Sequence, residues 1–179
     1  MITYETDPSP FFAANKTFCE AFENKLKTMN AECKGFCNSY GYEIESDFKK
    51  DNLNYSIKCQ KYHNTQNGVM IPVDSHEYRG VEINITGLND VFAVSAGHSA
   101  YQRMFISDAM RGNIPSPYFL KFNYSPEKAM ESALIKTITN HKVSKLKLYK
   151  GKLTCKINMT STDPADVLAD IEKVIATWK

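Results

Sequence analysis

Gly97-His98-Ser99 places a histidine and a hydroxyl directly after the apolar run Val91-Phe92-Ala93-Val94-Ser95-Ala96. A serine between a buried strand and a helix is the setting of a nucleophile elbow, and Asp108 and His141 follow in the serine, acid, histidine order of such hydrolases. An elbow needs small residues on both sides of the nucleophile, and here the second glycine position is Tyr101. The alternative for the same residues is a plain turn and helix cap. A second cluster, Asp74-Ser75-His76-Glu77, has carboxylate and imidazole ligands of the kind that hold zinc or related metals. Gly80 stands where an H-E-x-x-H helix needs its second histidine, so that motif is broken. The spacing therefore names no metal, and no cofactor is expected.

The strongest chemical signal is electrostatic. Between Glu131 and Asp163 the chain has no acid, but it holds Lys136, Lys142, Lys145, Lys147, Lys150, Lys152, Lys156 and His141. Lys145, Lys147 and Tyr149 alternate with Leu146 and Leu148. Lys152, Thr154 and Lys156 alternate with Leu153, Cys155 and Ile157. Strand geometry sends alternate side chains to opposite faces, so burial of the apolar set turns these lysines and Tyr149 outward together. Such a face attracts an anionic macromolecule or membrane surface. The chain has 19 Lys against 3 Arg, and no strong nucleic-acid motif. A lysine-coated face that only keeps the protein in solution is the competing explanation.

The elements that must carry these residues are legible from periodicity. Ser9-Pro10 caps a helix in which Phe11, Phe18, Phe22, Leu26, Met29 and Cys33 make one face, with Gly35 as its stop. That helix would put Cys33 and Cys37 one turn apart. Tyr42, Ile44 and Phe48 mark a short, charged strand. Leu53, Tyr55, Ile57 and Cys59, then Val81, Ile83 and Ile85, alternate as strands with one packed face. Asn67-Gly68 marks a turn before Val69-Met70-Ile71-Pro72-Val73, an edge strand because of its proline. The run from Val91 to Ala96 is apolar on both faces and reads as the central strand. Residues Ser99 to Met110 suggest a helix with Tyr101, Met104 and Phe105 inward. Tyr118, Leu120, Phe122 and Tyr124 alternate as a strand. A helix over Ala129 to Ile138, the lysine hairpin, and a helix with Val167, Leu168, Ile171, Val174, Ile175 and Trp178 on one stripe complete the chain.

The strand runs are joined by turns rather than crossover helices, which favours antiparallel pairing. The expectation is one α+β domain over residues 1–179, a soluble portion of a longer protein included. It has a mainly antiparallel sheet of about six to eight strands and three or four helices. Two of those helices are C-terminal and flank a β-hairpin.

At 179 residues and 42% hydrophobic the chain can bury a full core without staples. The net charge of +2 specifies no partner. No transmembrane segment is present, and the polar start Met1-Ile2-Thr3-Tyr4-Glu5 lacks a signal-peptide pattern. Five cysteines, an odd and scattered set, predict reduced thiols. These features suit a cytoplasmic protein or the soluble domain of a membrane-anchored one. A third possibility is a secreted, glycosylated surface protein, since Asn15, Asn54, Asn84, Asn123 and Asn158 each begin an N-x-S/T triplet. Strand alternation generates the same spacing. The functional expectation is a non-enzymatic binding domain with the lysine-rich face for an anionic partner. The alternative is a small hydrolase or metal-dependent enzyme centred on His98 and Ser99.

Overall fold

The computed structural model describes residues 1–6, 8–64, 76–89, 93–107, 112–158 and 164–178. It is an α+β fold built on a nine-stranded, mostly antiparallel sheet. In chain order the elements are β1 (Ile2–Tyr4), α1 (Pro10–Thr28), β2 (Cys33–Cys37), β3 (Gly41–Lys50), β4 (Leu53–Asn64), β5 (His76–Thr86), β6 (Val94–His98), α2 (Ala100–Met104), β7 (Tyr118–Phe122), α3 (Lys128–Asn140), β8 (Val143–Tyr149), β9 (Lys152–Asn158) and α4 (Pro164–Ala176). The spatial order is β1-β2-β3-β4-β5-β9-β8-β6-β7. Only the β1–β2 pair is parallel among the described strands.

The long helices pack on one face of this sheet. Helix α1 contacts β2 and β3, α3 contacts β7 and β8, and α4 contacts both α1 and α3. Their apolar stripes meet the inward residues of the strands, among them Ile44, Ile57, Ile83, Cys155, Leu146 and Leu120, in one core. Each strand then presents its alternate residues to the opposite face, which no long helix of the described residues covers. Helix α4 is tied to the sheet at its far end, where Lys50 donates to Glu172 at 2.8 Å.

The first helix is shorter than its apolar spacing predicts. It ends at Thr28 because Asn30 turns left-handed, with φ 55°. Ala31 N–H bonds the Leu26 carbonyl and Asn30 N–H bonds the Lys27 carbonyl. That is a Schellman closure with asparagine in the role the sequence reading gave to Gly35. Cys33 and Cys37 therefore lie in strand β2, both buried, and not on a helix turn. Phe11 is exposed, and the buried stripe is Phe12, Asn15, Cys19, Phe22 and Leu26.

The strand count exceeds six to eight because β1 and β2 join the sheet, and neither has a local strand pattern that outweighs a polar terminus or a helix period. Strand β6 is not central. It lies between β8 and the marginal strand β7. Its small residues are there for close approach: a Cβ on Gly97 would meet the Ser144 carbonyl oxygen at 2.5 Å. The helix expected from Ser99 shrinks to the single turn α2, with Tyr101, Met104 and Phe105 all exposed rather than inward. The Asn67-Gly68 turn and the strand expected over 69–73 lie outside the described residues.

Candidate functional site: the open face of the sheet

The residues expected to do acid–base or nucleophilic work have separate occupations. Ser99 Oγ accepts from the Gln102 backbone N–H at 3.1 Å, a cap for α2. His98 ends β6 exposed, with its ring edge-on to Tyr118 at 5.3 Å. His141 is buried at the C-terminus of α3, where Nε2 lies 2.9 Å from Asp170 of α4. Asp108 lies outside the described residues. So do Asp74 and the side chains of His76 and Glu77, whose backbone opens β5. Among the described residues no cluster of His, Cys, Asp or Glu could hold a metal ion.

The cysteines are all buried, and none forms a disulfide. Burial pushes the thiols of Cys19, Cys33, Cys37 and Cys155 up, that of Cys155 to about 12. They are poor nucleophiles for that reason. Asn15, the first residue of one N-x-S/T triplet, is 1% exposed. Its amide donates to the Asn38 carbonyl at 2.9 Å and accepts from Lys61 Nζ at 3.0 Å. It is a core polar residue tying α1 to β4, inaccessible as an acceptor.

The open face is where charge accumulates, and it divides into two electrostatic halves. On β2 to β4 the ammonium groups meet carboxylates. Lys58 lies 3.0 Å from Glu43 and 3.2 Å from Glu45, and Lys34 lies 3.5 Å from Glu45. The carboxylates hold the Lys58 ammonium above its ordinary range, Glu43 foremost. On β5, Glu82 takes Lys156 of β9 at 2.6 Å, and that ammonium holds the Glu82 carboxyl below its ordinary range. Thr154 Oγ1 donates to Asn84 alongside.

Beyond this line the sign is unbalanced. Strands β9, β8, β6 and β7 contain no Asp or Glu at all. Lys145, Lys147, Tyr149 and Lys152 are exposed there on one face, as the cross-strand register requires. The register adds two residues that sequence reading did not single out. Ser95 of β6 is opposite Lys147 of β8 on one side and Lys121 of β7 on the other. A shallow furrow of about 350 Å³ runs here, lined by Ser95, Lys121, Asn123, Lys147 and Tyr149 over the apolar edges of Val94, Phe122 and Leu148. The Tyr149 ring is flanked by Lys147 Nζ at 5.3 Å and Lys150 Nζ at 5.5 Å. Lys121 alternates with Leu120 and Phe122, so its outward direction is readable from sequence. Its alignment with the hairpin lysines depends on strand order and is not.

No helix of the described residues is long and apolar enough to cross a membrane. Comparison with known proteins finds no family model, no curated sequence and no solved structure that matches this chain.

Proposed function

We propose that the protein is a binding domain whose β9-β8-β6-β7 half of the open sheet face receives an anionic partner. One observation carries this reading. Among the described strands the same sheet face pairs its lysines with carboxylates over β2 to β5, and on β8, β6 and β7 it carries only cationic or neutral side chains. The proposed contact set is Lys121, Lys145, Lys147, Tyr149 and Lys152. Lys156 is a weaker contributor because Glu82 already occupies it. Long ammonium side chains on a flat, pleated surface suit a partner that offers many anionic groups rather than one small substrate.

The test is retention on immobilised heparin, a generic polyanion. The wild-type protein should elute at a salt concentration well above that for its Lys121→Glu/Lys147→Glu variant, and its affinity should fall steeply with added salt. Both lysines are exposed on the surface, so the variant should fold normally. Equal elution of the two proteins would refute the reading.

A further inference from the structure

The basic half borders an apolar feature on the same face. Phe119 of β7 is opposite Gly97, which is opposite Lys145, so its ring stands on the lysine side of the sheet. A Cβ on Gly97 would lie 3.3 Å from that ring. Phe119 is nevertheless only 8% exposed, and it belongs to no part of the main core. Ile106, two residues beyond α2, is the other buried apolar residue outside that core. Helix α2 contacts β7. The α2 turn therefore borders the strand that carries Phe119, at the margin of the sheet.

The outer side of this turn is bare. Tyr101 is 71% exposed, Met104 77% and Phe105 70%. Tyr101 and Phe105 pack edge to face at 4.8 Å, and Met104 is exposed on the same turn. A contiguous exposed apolar group beside a one-sign charged surface marks an interaction site.

We infer that the partner is an anionic lipid bilayer. In this arrangement Lys145, Lys147 and Lys121 lie against the lipid headgroups, and Met104 and Phe105 enter the headgroup–acyl boundary. The inference rests on the anion-binding reading of the open face and specifies its partner. The two parts answer two properties of a bilayer surface: anionic headgroups attract clustered lysines, and the interface below them accepts an aromatic or thioether side chain. Tyr101, with a polar tip on an apolar ring, suits the headgroup level. A nucleic acid would use the lysines and the Tyr149 ring but would leave Met104 and Phe105 in water.

The experiment compares co-sedimentation with vesicles of phosphatidylserine mixed into phosphatidylcholine, vesicles of phosphatidylcholine alone, and a single-stranded oligonucleotide. Heparin retention is measured in parallel. Wild type should bind the mixed vesicles and not the neutral ones. M104S/F105S, which keeps every charge and alters only exposed side chains, should lose tenfold or more in vesicle affinity with heparin retention unchanged. A fluorophore on F105C, selective because the native thiols are buried, should shift to the blue on the mixed vesicles only. Vesicle binding that survives M104S/F105S, or an unshifted fluorophore, would overturn the bilayer inference. So would binding to heparin and the oligonucleotide without vesicle binding, and that outcome would leave the anion-binding reading intact. Failure to bind any of the polyanions would overturn both.

Discussion

Truncating Ile171 to alanine probes whether α4 is held by its apolar stripe. Ile171 is 1% exposed, on a helix that also buries Val167, Leu168, Val174 and Ile175 against α1, α3 and the sheet. The substitution removes three methyl or methylene groups, each contributing about 0.8 kcal/mol on burial, or about 2.4 kcal/mol together. If the neighbours relax only in part, a residual cavity of about 50 Å³ adds about 1 kcal/mol at roughly 24 cal/mol per Å³. The expected loss is therefore about 3.5 kcal/mol, a large share of the roughly 5–15 kcal/mol that stabilises a typical domain.

Urea unfolding followed by far-UV circular dichroism and by the fluorescence of Trp178 measures it. Trp178 is the chain's single tryptophan and is buried just beyond α4. The midpoint should fall with the slope unchanged, and the two signals should coincide. The control is Ala169→Ser on the exposed side of the same helix, expected within about 0.5 kcal/mol of wild type. A loss below about 1 kcal/mol for Ile171→Ala would refute the packing argument, because no buried isoleucine in a close-packed core is that cheap to truncate. Non-coincident signals would show that α4 leaves the sheet on its own.

Gly35→Ala should destabilise by more than about 2 kcal/mol, since φ is +149° and the added Cβ would lie 1.9 Å from the Glu43 carbonyl oxygen; a neutral effect in urea unfolding would mean that β2 does not pair with β3 as described. Lys173 first, and His141 second, hold the Asp170 carboxyl below its ordinary 3.8, so its contribution is present above that pH and is lost as pH falls through the lowered value. Asp170→Asn should remove under about 1 kcal/mol at neutral pH and flatten the acid limb of the stability curve, the modest size reflecting the exposure of Lys173; an acid limb unchanged in Asp170→Asn would be the contrary result. The buried cysteines should resist a thiol reagent in the native protein, and all five should react on denaturation without reductant; rapid native reaction of any one would contradict its burial.

What the sequence could show was what depends on local period. The α4 stripe and the alternation in β8 and β9 each arise within a few residues, and burial enforces them. The α2 turn shows the limit of that logic. Tyr101, Met104 and Phe105 have the spacing of a helix face, but spacing is the same for a face turned to a core and one turned to solvent. Only the packing of the turn beside β7, which leaves these three side chains exposed, decides which. Strand β1 pairs in parallel with β2 after a whole intervening helix, and no short-range pattern announces it. The site was half legible for the same reason. The hairpin places its lysines on one face by parity alone. The neutralisation of Lys156 by Glu82, and the arrival of Lys121 and Ser95 beside Lys147, depend on β5 pairing with β9 and β6 with both β8 and β7.

The position of the lysines within the sheet bears on why they are there. Lysine on a strand commonly protects a sheet edge from pairing with another chain. Here Lys145, Lys147, Lys152 and Lys156 stand on β8 and β9, interior strands whose backbone groups are already paired on both sides. The margins have other protection. Strand β1 is three residues long, and on β7 the Leu120 carbonyl accepts from Gly112 N–H at 2.9 Å. Edge protection therefore does not account for the cluster. Nor does an even coating of charge for solubility. One cross-strand row reads Lys34, Glu45, Lys58, Glu82 and Lys156, alternating in sign across β2, β3, β4, β5 and β9. The next residue in that row is Lys145, placed directly opposite Lys156. Like charges facing each other across a pair of strands are unfavourable, and a carboxylate at position 145 would continue the alternation and relieve them. The alternation instead stops where the strands without Asp or Glu, β9, β8, β6 and β7, begin. The anionic partner proposed above would supply the missing countercharge at that point.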